Sequence, residues 1–384
     1  MNYFSSNFKL GILGGGQLGK MLLNETRKFD IQTLVLDPSE EAPARFSCNA
    51  FFVGSLMDFE TVYQFGKMVD LLTIEIENVN LDALVKLEEE GLSVYPSPKT
   101  LRLIQNKGKQ KDFYVQNNIP TSTHQRFLDV TDLKKAIEKS ELEFPFVWKC
   151  AQFGYDGNGV KIVRSGVDLV YLPEVECIAE AMVPFKNELA VIVVRSVSGE
   201  VKTYPVVEME FHPEANQVEY VICPARIDKK VAEKATEIAL QVSKAFHHIG
   251  LLAVEMFQTE NDEILVNEVA PRPHNSGHYS IEGSYTSQFE NHLRAILNLP
   301  LGNCDSKVAG IMVNLVGEEG FSGQVVYENI EKIMAIHGVT PHIYGKRETR
   351  PFRKMGHVTI VNEDMKAARK IAEEVKNSIR VISI

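Results

Sequence analysis

The sequence has 384 residues, more than one ordinary hydrophobic core accommodates, so two or three domains are expected. Hydrophobic residues make up 44% of the chain and charged residues 24%, a balance typical of soluble globular proteins. The formal net charge of −10 argues against a general nucleic-acid binder, because phosphate backbones favour basic surfaces.

The cysteines and the apolar stretches indicate the cellular compartment. The 5 cysteines are scattered without a CxxC pair, so neither a zinc site nor a disulfide framework is indicated, and a reducing compartment is expected. The first residues, MNYFSSNFK, lack the basic and apolar regions of a signal peptide, and no apolar run approaches the length of a membrane span. We therefore expect a cytoplasmic protein with no membrane or nucleic-acid partner.

The amino-terminal third alternates short apolar strands with amphipathic helices, which predicts a small parallel α/β sheet. The predicted strands are Lys9–Leu13, Thr33–Leu36, Ala50–Val53, Leu71–Ile76 and Ser93–Tyr95, with helices at Phe59–Val69 and Leu81–Glu90. Glu75 and Glu77 stand at the carboxyl end of the fourth strand, where open sheets bind ligands. Glu77 fits a cap of the next helix equally well.

A glycine-rich turn follows the first strand. Gly14, Gly16 and Gly19 have the spacing of a dinucleotide fingerprint, and Asp37 stands about 20 residues further on, where a ribose would be bound. Such glycines let an anion approach the N-terminus of a helix. The pattern leaves open whether that anion is a dinucleotide, another phosphate, or no ligand at all.

The next segment combines one helix with several strands. A helix is predicted at Lys99–Asn117, and its lysine run is typical of a solvated face. Within residues 144–163, two strands flank a turn whose glycines, Gly154, Gly157 and Gly159, would let backbone N–H groups close over a triphosphate. A hairpin turn without a ligand is the alternative, although it needs fewer glycines.

The chain then offers groups for a nucleoside. Glu180–Val183 follows a predicted strand at Glu176–Ile178, and its free backbone groups would suit an adenine edge. Glu188, further along, would accept hydrogen bonds from ribose hydroxyls, although Glu180 and Glu188 are equally well surface residues. Strands at Glu188–Arg195, Lys202–Val207 and Gln217–Pro224 and an amphipathic helix at Asp228–His248 are predicted next.

Two apolar strands, Leu251–Gln258 and Ile264–Ala270, are joined by a polar turn at Asn261–Asp262, which predicts a β-hairpin. Symmetric pairing places Glu255 opposite Glu268, and like charges in that position destabilise a strand pair. A divalent cation removes this cost, and two carboxylates leave coordination positions for phosphate oxygens, as Mg²⁺ prefers. The alternative is a solvated hairpin face with two surface glutamates.

Two polar segments complete the candidate site. The loop after the hairpin, Pro271–His278, contains Arg272, His274, Asn275 and Ser276, a composition that indicates a polyanion site rather than packing. Helix and strand patterns at Thr286–Leu297 and Val308–Leu315 follow, and then a basic segment with Lys346, Arg353 and Lys354. On an acidic chain this local basicity predicts a grip on phosphate or carboxylate, with a solvated basic turn as the alternative.

Glu255, the Asn267-Glu268 pair and APRPHNSGH at 270–278 resemble the metal and substrate segment of ATP-grasp carboxylate–amine ligases. Within that superfamily the chain is most similar to the 5-(carboxyamino)imidazole ribonucleotide synthetase family of purine biosynthesis, from Lys9 to about Ile384. The resemblance implies an α/β ATP-grasp fold. Its expected parts are a Rossmann-like parallel domain (residues 1–98), a small α+β lid (99–180), and a C-terminal α+β domain with an antiparallel sheet (181–384).

The resemblance also implies which residues bind which ligand. ATP contacts are expected at Lys107, Lys149, Gly154, Tyr155, Asp156, Gly157, Gly159, Glu180, Met182, Val183, Glu188, His212, Asn267 and Glu268. The ribonucleotide is expected at Gln17, Leu18, Glu75, Tyr155, Ser276, Lys346, Arg353 and Lys354, and Mg²⁺ at Glu255 and Glu268. Arg272, His274 and Asn275 are expected to hold the bicarbonate-derived oxygens, with His274 handling protons. Lys107 departs from relatives that often carry arginine.

The implied reaction joins bicarbonate to the amine of 5-aminoimidazole ribonucleotide at the expense of ATP, through carboxyphosphate, in a homodimer. The nearest rival is an ATP-grasp ligase that formylates glycinamide ribonucleotide with formate. Those relatives tend to carry Asp-Thr-Gly after the loop histidine, whereas this chain has Asn275-Ser276-Gly277 there and His357 after Met-Gly. An NAD-dependent oxidoreductase would leave Glu255 and Glu268 without a role, and a non-catalytic ATP sensor would not need every charged position filled.

Overall fold

The computed structural model describes residues 3–152, 159–212 and 217–384. The predicted phosphate-loop positions Gly154, Tyr155, Asp156 and Gly157 lie outside the described residues, whereas Gly159 lies within them. None of the helices in these ranges combines the length and the apolar character needed to cross a membrane.

The amino-terminal strands form a parallel sheet in the order β3-β2-β1-β4-β5, as the alternating pattern predicts. They are β1 (Lys9–Leu13), β2 (Gln32–Asp37), β3 (Ala50–Val53), β4 (Leu71–Ile74) and β5 (Ser93–Tyr95), with helices α1 (Gln17–Lys28), α2 (Phe59–Gly66) and α3 (Leu81–Glu89). Apolar residues of β1 and β4, such as Leu10 and Leu71, are buried on the sheet faces. The carboxyl ends of β1, β2 and β4 therefore meet at one edge of the sheet.

The helix predicted at Lys99–Asn117 is wrong in one respect, because two helices occupy the segment. They are α4 (Pro98–Ile104) and α5 (Lys107–Gln116). Asn106 breaks the run, since its backbone is extended and its side-chain oxygen accepts a hydrogen bond from the backbone N–H of Lys109 at 3.0 Å. Asparagine is among the preferred N-cap residues, so this cap starts a new helix at Lys107.

The lid is a small antiparallel sheet in the order β6-β9-β7-β8, with one helix packed on it. Its elements are β6 (His124–Phe127), α6 (Val130–Glu138), β7 (Phe146–Cys150), β8 (Val160–Val163), a 3₁₀ turn (Asp168–Tyr171) and β9 (Cys177–Ala181). The strand predicted to end at Ile178 is longer, and Glu180 lies inside β9 opposite Val147 of β7. Glu180 is thus part of the sheet rather than of the segment that follows it.

The largest sheet is antiparallel and runs in the order β15-β14-β10-β12-β13-β16-β20-β18, with β11 paired to β10. Its strands are β10 (Phe185–Arg195), β11 (Val201–Thr203), β12 (Val207–Phe211), β13 (Val218–Cys223), β14 (Gly250–Thr259), β15 (Ile264–Ala270), β16 (Gly310–Val316), β18 (Val339–Ile343) and β20 (Lys354–Val361), and helix α7 (Lys229–Phe246) covers one face. The single strand predicted at Lys202–Val207 is wrong. Pro205, which has no N–H to donate, separates β11 from β12.

Smaller elements complete the body around this sheet. They are helices α8 (Ser280–Gly283), α9 (Gln288–Ile296), α10 (Ile330–Met334) and α11 (Met365–Ser378), a 3₁₀ turn (Asn275–Gly277), and strands β17 (Gly323–Glu328), β19 (Glu348–Thr349) and β21 (Arg380–Ser383). Phe289, Leu293 and Ile296 of α9 share a buried core with Leu10 and Ile12 of β1. This core packs α9 against α1 and the amino-terminal sheet, and α9 also contacts β14 of the large sheet.

The β14–β15 hairpin has the predicted register, with Glu255 opposite Glu268. One step further along, Met256 pairs with Val266, so the register shifts by one residue. This bulge leaves Asn267 unpaired in the ladder, and both Asn267 and Glu268 are half-buried instead of alternating between the two faces. Two consecutive polar side chains of β15 are therefore both accessible, and they contact Lys149 and Lys107 respectively.

Candidate active site

A cavity of about 390 Å³ lies where the amino-terminal sheet edge, helix α5 and the hairpin meet, a volume within the usual range for small-molecule sites. Many residues that the sequence singles out line this cavity. They are Gln17, Leu18, Glu75, Lys107, Glu255, Glu268, Arg272, His274, Asn275 and Lys354. Segments separated by more than 300 residues of sequence are thus brought to one place.

The two hairpin carboxylates are each paired with a cationic or titratable side chain of the chain itself. His274 Nε2 lies 3.1 Å from Glu255 Oε1, and Lys107 forms an ion pair with Glu268. Lys107 lowers the pKa of Glu268 to about 2, although burial acts in the opposite direction. Glu268 therefore remains ionised, and the cost of placing two carboxylates opposite each other is offset by these partners.

The donor set fits Mg²⁺ held jointly with a nucleotide. Among the described residues, no group of three or more His, Cys, Asp or Glu side chains could hold a metal ion by itself. Glu255 and Glu268 offer hard carboxylate oxygens on the wall of one cavity. Mg²⁺ is commonly bound through one or two carboxylates together with waters and substrate phosphates, so two ligands are sufficient.

A second charged cluster lies between the lid and the hairpin. Lys149 Nζ lies 3.1 Å from Glu180 Oε1 and donates a hydrogen bond to Asn267 Oδ1 at 3.0 Å. Burial would raise the pKa of Glu180, but Lys111 and Lys149 outweigh it and lower the pKa to about 2. Lys149 is thus a fixed positive charge shared by the lid and by the bulged strand.

Lys111 is a site residue that the sequence reasoning missed. Its Nζ lies 3.2 Å from Glu180 Oε2 and donates hydrogen bonds to Thr121 Oγ1 at 2.8 Å and Ser122 Oγ at 3.0 Å. Burial lowers its pKa to about 8. Its spacing was the available signal, because Lys107 and Lys111 stand four residues apart on one face of α5, whereas Lys109 is exposed on another face.

The remaining nucleotide candidates lie along the lid side of the site. Glu188 is half-buried in β10, and burial, with the nearby Glu255 carboxylate, raises its pKa to about 8. Met182 and Val183 follow β9 directly, and Met182 is exposed. Gly159 precedes β8 with a φ of +79°, a conformation that favours glycine.

The glycine-rich turn after β1 is filled by a carboxylate of the chain. Glu75 Oε1 accepts a hydrogen bond from Gly16 N at 2.8 Å, and Glu75 Oε2 accepts one from Gly19 N at 2.7 Å. A Cβ atom at Gly16 would lie 2.4 Å from Glu75 Oε1, so glycine is needed there to admit this carboxylate. The anion at the N-terminus of α1 is therefore Glu75, and no pyrophosphate can occupy the same amides.

Asp37 also serves the turn rather than a ribose. Its Oδ2 accepts a hydrogen bond from Gly15 N at 2.7 Å, and its Oδ1 accepts one from Ser39 N at 2.8 Å. The dinucleotide interpretation of the fingerprint therefore finds both of its anionic positions engaged by the fold. Gln17 and Leu18, at the start of α1, still line the cavity beside Glu75.

The loop after the hairpin reaches across to the amino-terminal sheet. Arg272 Nε lies 3.0 Å from Glu77 Oε2, and the N-cap of α3 is Asn80, so Glu77 anchors Arg272 and does not cap that helix. Asn275 Nδ2 donates a hydrogen bond to Asn314 Oδ1 of β16 at 2.9 Å. These bonds hold the loop from both sides.

Of the basic segment and His212, only Lys354 lines the cavity. Lys354 lines it, whereas Lys346 donates to the Lys354 carbonyl at 2.7 Å and Arg353 donates to the Glu348 carbonyl at 2.6 Å. Ser276 is buried in the loop and bonds His274 Nδ1 through its hydroxyl at 2.9 Å. His212 lines a neighbouring cavity, with its ring 6.0 Å from that of Phe352. The structure therefore does not bring His212 to the other nucleotide candidates.

Comparison with known proteins gives family matches along most of the chain. Residues 8–105 match the ribonucleotide synthetase preATP-grasp domain, residues 112–289 the ATP-grasp domain, and residues 310–371 the phosphoribosylaminoimidazole carboxylase C-terminal domain. Together with the lid and the paired carboxylates, these matches define an ATP-grasp protein.

Two relatives identify the family within the ATP-grasp class to which the chain is most similar. The chain is 37% identical to the N5-carboxyaminoimidazole ribonucleotide synthase of Bacillus subtilis, over 92% of this chain and 91% of that protein. It is 40% identical to the chloroplastic phosphoribosylaminoimidazole carboxylase of Vigna aconitifolia, over 93% of this chain, and it spans only 64% of that longer protein.

Solved structures agree. The N5-carboxyaminoimidazole ribonucleotide synthetase of Thermotoga maritima superposes with a TM-score of 0.90 at 41% identity, covering 98% of this chain and 100% of the other. The Aspergillus clavatus enzyme in complex with ADP and 5-aminoimidazole ribonucleotide gives 0.88 at 34% identity, covering 97% and 98%. The chain belongs to the N5-carboxyaminoimidazole ribonucleotide synthetase family.

Proposed function

We propose that this chain is an ATP-dependent carbon–nitrogen ligase. It converts 5-aminoimidazole ribonucleotide, bicarbonate and ATP to N5-carboxyaminoimidazole ribonucleotide, ADP and phosphate. The observation that carries the proposal is the single cavity that joins the carboxylates Glu255 and Glu268 to the Arg272–Asn275 loop and to Glu75. The proposed phosphate-transfer end and amine-substrate end would thus share one cavity.

The nucleotide end is formed by the hairpin and the lid. Lys107 and Lys149 supply positive charge for the phosphates, and Glu255 and Glu268 would hold Mg²⁺, which neutralises charge developing on the β- and γ-phosphate oxygens when bound. Glu188, half-buried on β10, offers carboxyl oxygens that would accept hydrogen bonds from the ribose hydroxyls. Lys111 holds Glu180 in place behind Lys149.

The substrate end lies at the amino-terminal sheet edge. Gln17, Leu18 and Glu75 line the cavity there, and Lys354 closes it from β20. Arg272 and Asn275 line the cavity and would hold the carboxyl oxygens derived from bicarbonate, since one supplies charge-assisted donors and the other an amide. Lys346, Arg353 and Ser276 remain proposed contacts of the ribonucleotide, adjacent to Lys354 and His274.

The proposed reaction has two steps. A bicarbonate oxygen attacks the γ-phosphorus, the bond to the β-phosphate oxygen breaks, and carboxyphosphate and ADP form. The amine nitrogen of the ribonucleotide then bonds to the carboxyl carbon while the bond from that carbon to the phosphate oxygen breaks. The proton lost by the amine passes to a base, and His274, which lines the cavity with its Nε2 3.1 Å from Glu255 Oε1, is the candidate.

Oxygen transfer tests this scheme. With [¹⁸O]bicarbonate, one labelled oxygen should appear in each phosphate released, which ³¹P NMR detects as an isotope shift. Phosphate without the label would refute phosphorylation of bicarbonate. Label transfer from [¹⁸O]formate with glycinamide ribonucleotide, but not from [¹⁸O]bicarbonate with aminoimidazole ribonucleotide, would favour the formate-using relatives.

We further propose a cytoplasmic homodimer with the three-domain division at residues 1–98, 99–180 and 181–384. The cysteines, including the buried Cys177, Cys223 and Cys304, are free, which suits a reducing compartment. Light scattering after size exclusion measures the assembly, and a monomeric mass at micromolar concentration would contradict the dimer.

A further inference from the structure

Gln288, the first residue of α9, has no exposed surface and is bound to the loop that carries His274. Its Oε1 accepts a hydrogen bond from His274 N at 2.9 Å, and its Nε2 donates to the His274 carbonyl at 2.8 Å. Nε2 also lies 3.0 Å from His278 Nδ1. One buried amide thus joins both backbone groups of one histidine and the ring of another.

The backbone of Gln288 extends the same connection. Gln288 N donates to Ser280 Oγ at 2.9 Å, and Ser280 Oγ donates in turn to the Gly277 carbonyl at 2.6 Å. A Cβ atom at Gly277 would lie 2.4 Å from Gln288 Oε1. The loop therefore packs directly on Gln288, and glycine is needed at 277 to allow it.

The amide also determines the tautomer of His278. Since Oε1 accepts from His274 N, Nε2 must be the donor, and His278 Nδ1 must be the acceptor. A neutral imidazole with an accepting Nδ1 carries its proton on Nε2. Because His278 lines the cavity, the ring that it contributes to the cavity wall is in one defined tautomer, with its proton on Nε2.

We propose that Gln288 is a positioning residue for the loop after the hairpin, Pro271–His278. It fixes the backbone of His274, whose ring bonds Glu255, and it holds His278 in the Nε2–H tautomer. No sequence motif in the predicted site includes Gln288, and its role in turnover rests on the proposed function. The loop geometry and the tautomer can be measured without turnover.

The chain offers a matched control in the same helix. Asn291 is also fully buried in α9, but its amide bonds Tyr204 Oη at 2.7 Å and its Oδ1 accepts from Gly302 N at 2.8 Å, which are not loop residues. Gln288→Glu and Asn291→Asp replace a buried amide by a carboxyl group of the same shape. Both are expected to lower the melting temperature.

Kinetics should separate the two variants. Gln288→Glu is expected to lower kcat roughly 10²-fold with little change in the KM for ATP, because a misplaced loop affects the reacting groups more than nucleotide binding. Asn291→Asp should keep kcat within about threefold of the wild type per folded molecule. Equal losses of kcat in both variants would overturn the proposal.

Two further readouts do not depend on activity. Hydrogen exchange in residues 272–279 should accelerate in Gln288→Glu and remain near the wild-type rate in Asn291→Asp. Imidazole ¹⁵N NMR should show the His278 proton moving to Nδ1 in Gln288→Glu, because an ionised carboxylate only accepts hydrogen bonds.

A second substitution at the same position tests the proposal if Gln288→Glu does not fold. Gln288→Met keeps a similar volume without polar donors, and it should show the same faster exchange and the same loss of kcat. Unchanged exchange and an unchanged tautomer in a folded Gln288 variant would refute the positioning role. If the wild type shows no bicarbonate-dependent turnover, the proposed function fails, while exchange and NMR still decide the role of Gln288.

Discussion

Two stretches of the chain carry patterns that indicate phosphate binding, the glycine turn at residues 14–19 and the carboxylate face of the β14–β15 hairpin. In the glycine turn, the amides that would bind a phosphate already bind Glu75, which lies 59 residues from Gly16 in the sequence. In the hairpin, Glu255 and Glu268 face a cavity, and their partners His274 and Lys107 are themselves expected to contact the reactants.

The difference teaches that a local motif does not determine its ligand. The glycine spacing is the same as in a dinucleotide site, yet a distant carboxylate has taken the anion position and Asp37 binds the turn. The hairpin glutamates are ordinary in the sequence, yet both line a cavity and are paired with Lys107 and His274. In both regions the partners that the fold supplies, rather than the local motif, determine which groups are available to a ligand.

The largest expected effect tests the hairpin. Glu268→Gln should lower kcat by at least about 10³-fold, or about 4 kcal/mol of transition-state stabilisation, because one of the two metal ligands loses its charge. Steady-state ADP release measures it. Glu263→Gln, at the exposed turn of the same hairpin, should leave the rate unchanged. A Glu268→Gln rate near that of the wild type would remove the metal assignment.

A substitution on the lid side of the site should lower activity less than Glu268→Gln does. Lys149→Met is expected to lower kcat/KM for ATP by about 10²-fold, because the phosphates lose a fixed charge and Glu180 loses one of its two lysine partners. Lys161→Met, on the neighbouring strand β8 with its ammonium group bonded to the Tyr171 carbonyl, is the control and should change little. Equal kinetics for both variants would place the phosphates elsewhere.

The glycine turn should show a loss of stability, because Glu75 satisfies two of its backbone donors, in addition to any weakening of ribonucleotide binding in the cavity that Glu75 lines. Glu75→Gln presents an N–H₂ group to one of two backbone donors, and the unsatisfied donor should cost about 1–3 kcal/mol of the free energy of unfolding. Urea denaturation measures this change. NADH should not raise the melting temperature of the wild type, and protection by NADH would restore the dinucleotide interpretation.

A smaller effect concerns a contact between the two sheets that carry these regions. His292 joins β4 of the amino-terminal sheet to β14 of the large sheet, with Nε2 3.0 Å from Thr73 Oγ1 and Nδ1 accepting from Leu251 N at 3.2 Å. Burial lowers its pKa to about 3, below the unfolded value of about 6.5. The unfolded state therefore binds more protons between these values. The stabilising contribution is complete above pH 6.5 and is lost as the pH falls.

At pH 5.5 the loss attributable to His292 should be roughly 1.4 kcal/mol of the free energy of unfolding. Denaturation at pH 7.5 and pH 5.5 measures it. His248, whose pKa burial lowers to about 4, adds a loss of the same sign. His292→Gln should be less stable at pH 7.5 but less sensitive to pH. A variant with the pH dependence of the wild type would contradict this account.

Periodicity and strand pairing made much of the fold predictable. The parallel sheet, the hairpin and the opposition of Glu255 and Glu268 follow from local apolar patterns and a symmetric turn. The bulge at Asn267 does not, because it depends on how β14 and β15 fit their neighbours. The break at Asn106 was readable in principle, since asparagine favours an N-cap, but an uninterrupted helical pattern hid it.

The residues of the candidate site likewise fall into those that the sequence predicts and those that it does not. Charged clusters in short segments, such as Arg272–Asn275, were visible in the sequence and line the cavity. Glu75 as the anion of the glycine turn, Lys111 beneath Glu180, and Gln288 behind the loop were not visible. Glu75 and Lys111 act through partners far away in the sequence, at the N-terminus of α1 and on β9. Gln288 acts through a loop only 10 to 14 residues before it, but nothing in the local pattern shows that this loop folds back onto the start of α9.

The central claim is that one cavity couples ATP cleavage to carboxylation of aminoimidazole ribonucleotide. The most direct measurement is ADP release with Mg-ATP and bicarbonate, with and without that ribonucleotide, alongside glycinamide ribonucleotide with formate. We expect strong stimulation by aminoimidazole ribonucleotide and none by the second pair. Stimulation by glycinamide ribonucleotide and formate alone, or by neither pair, would contradict the proposed reaction.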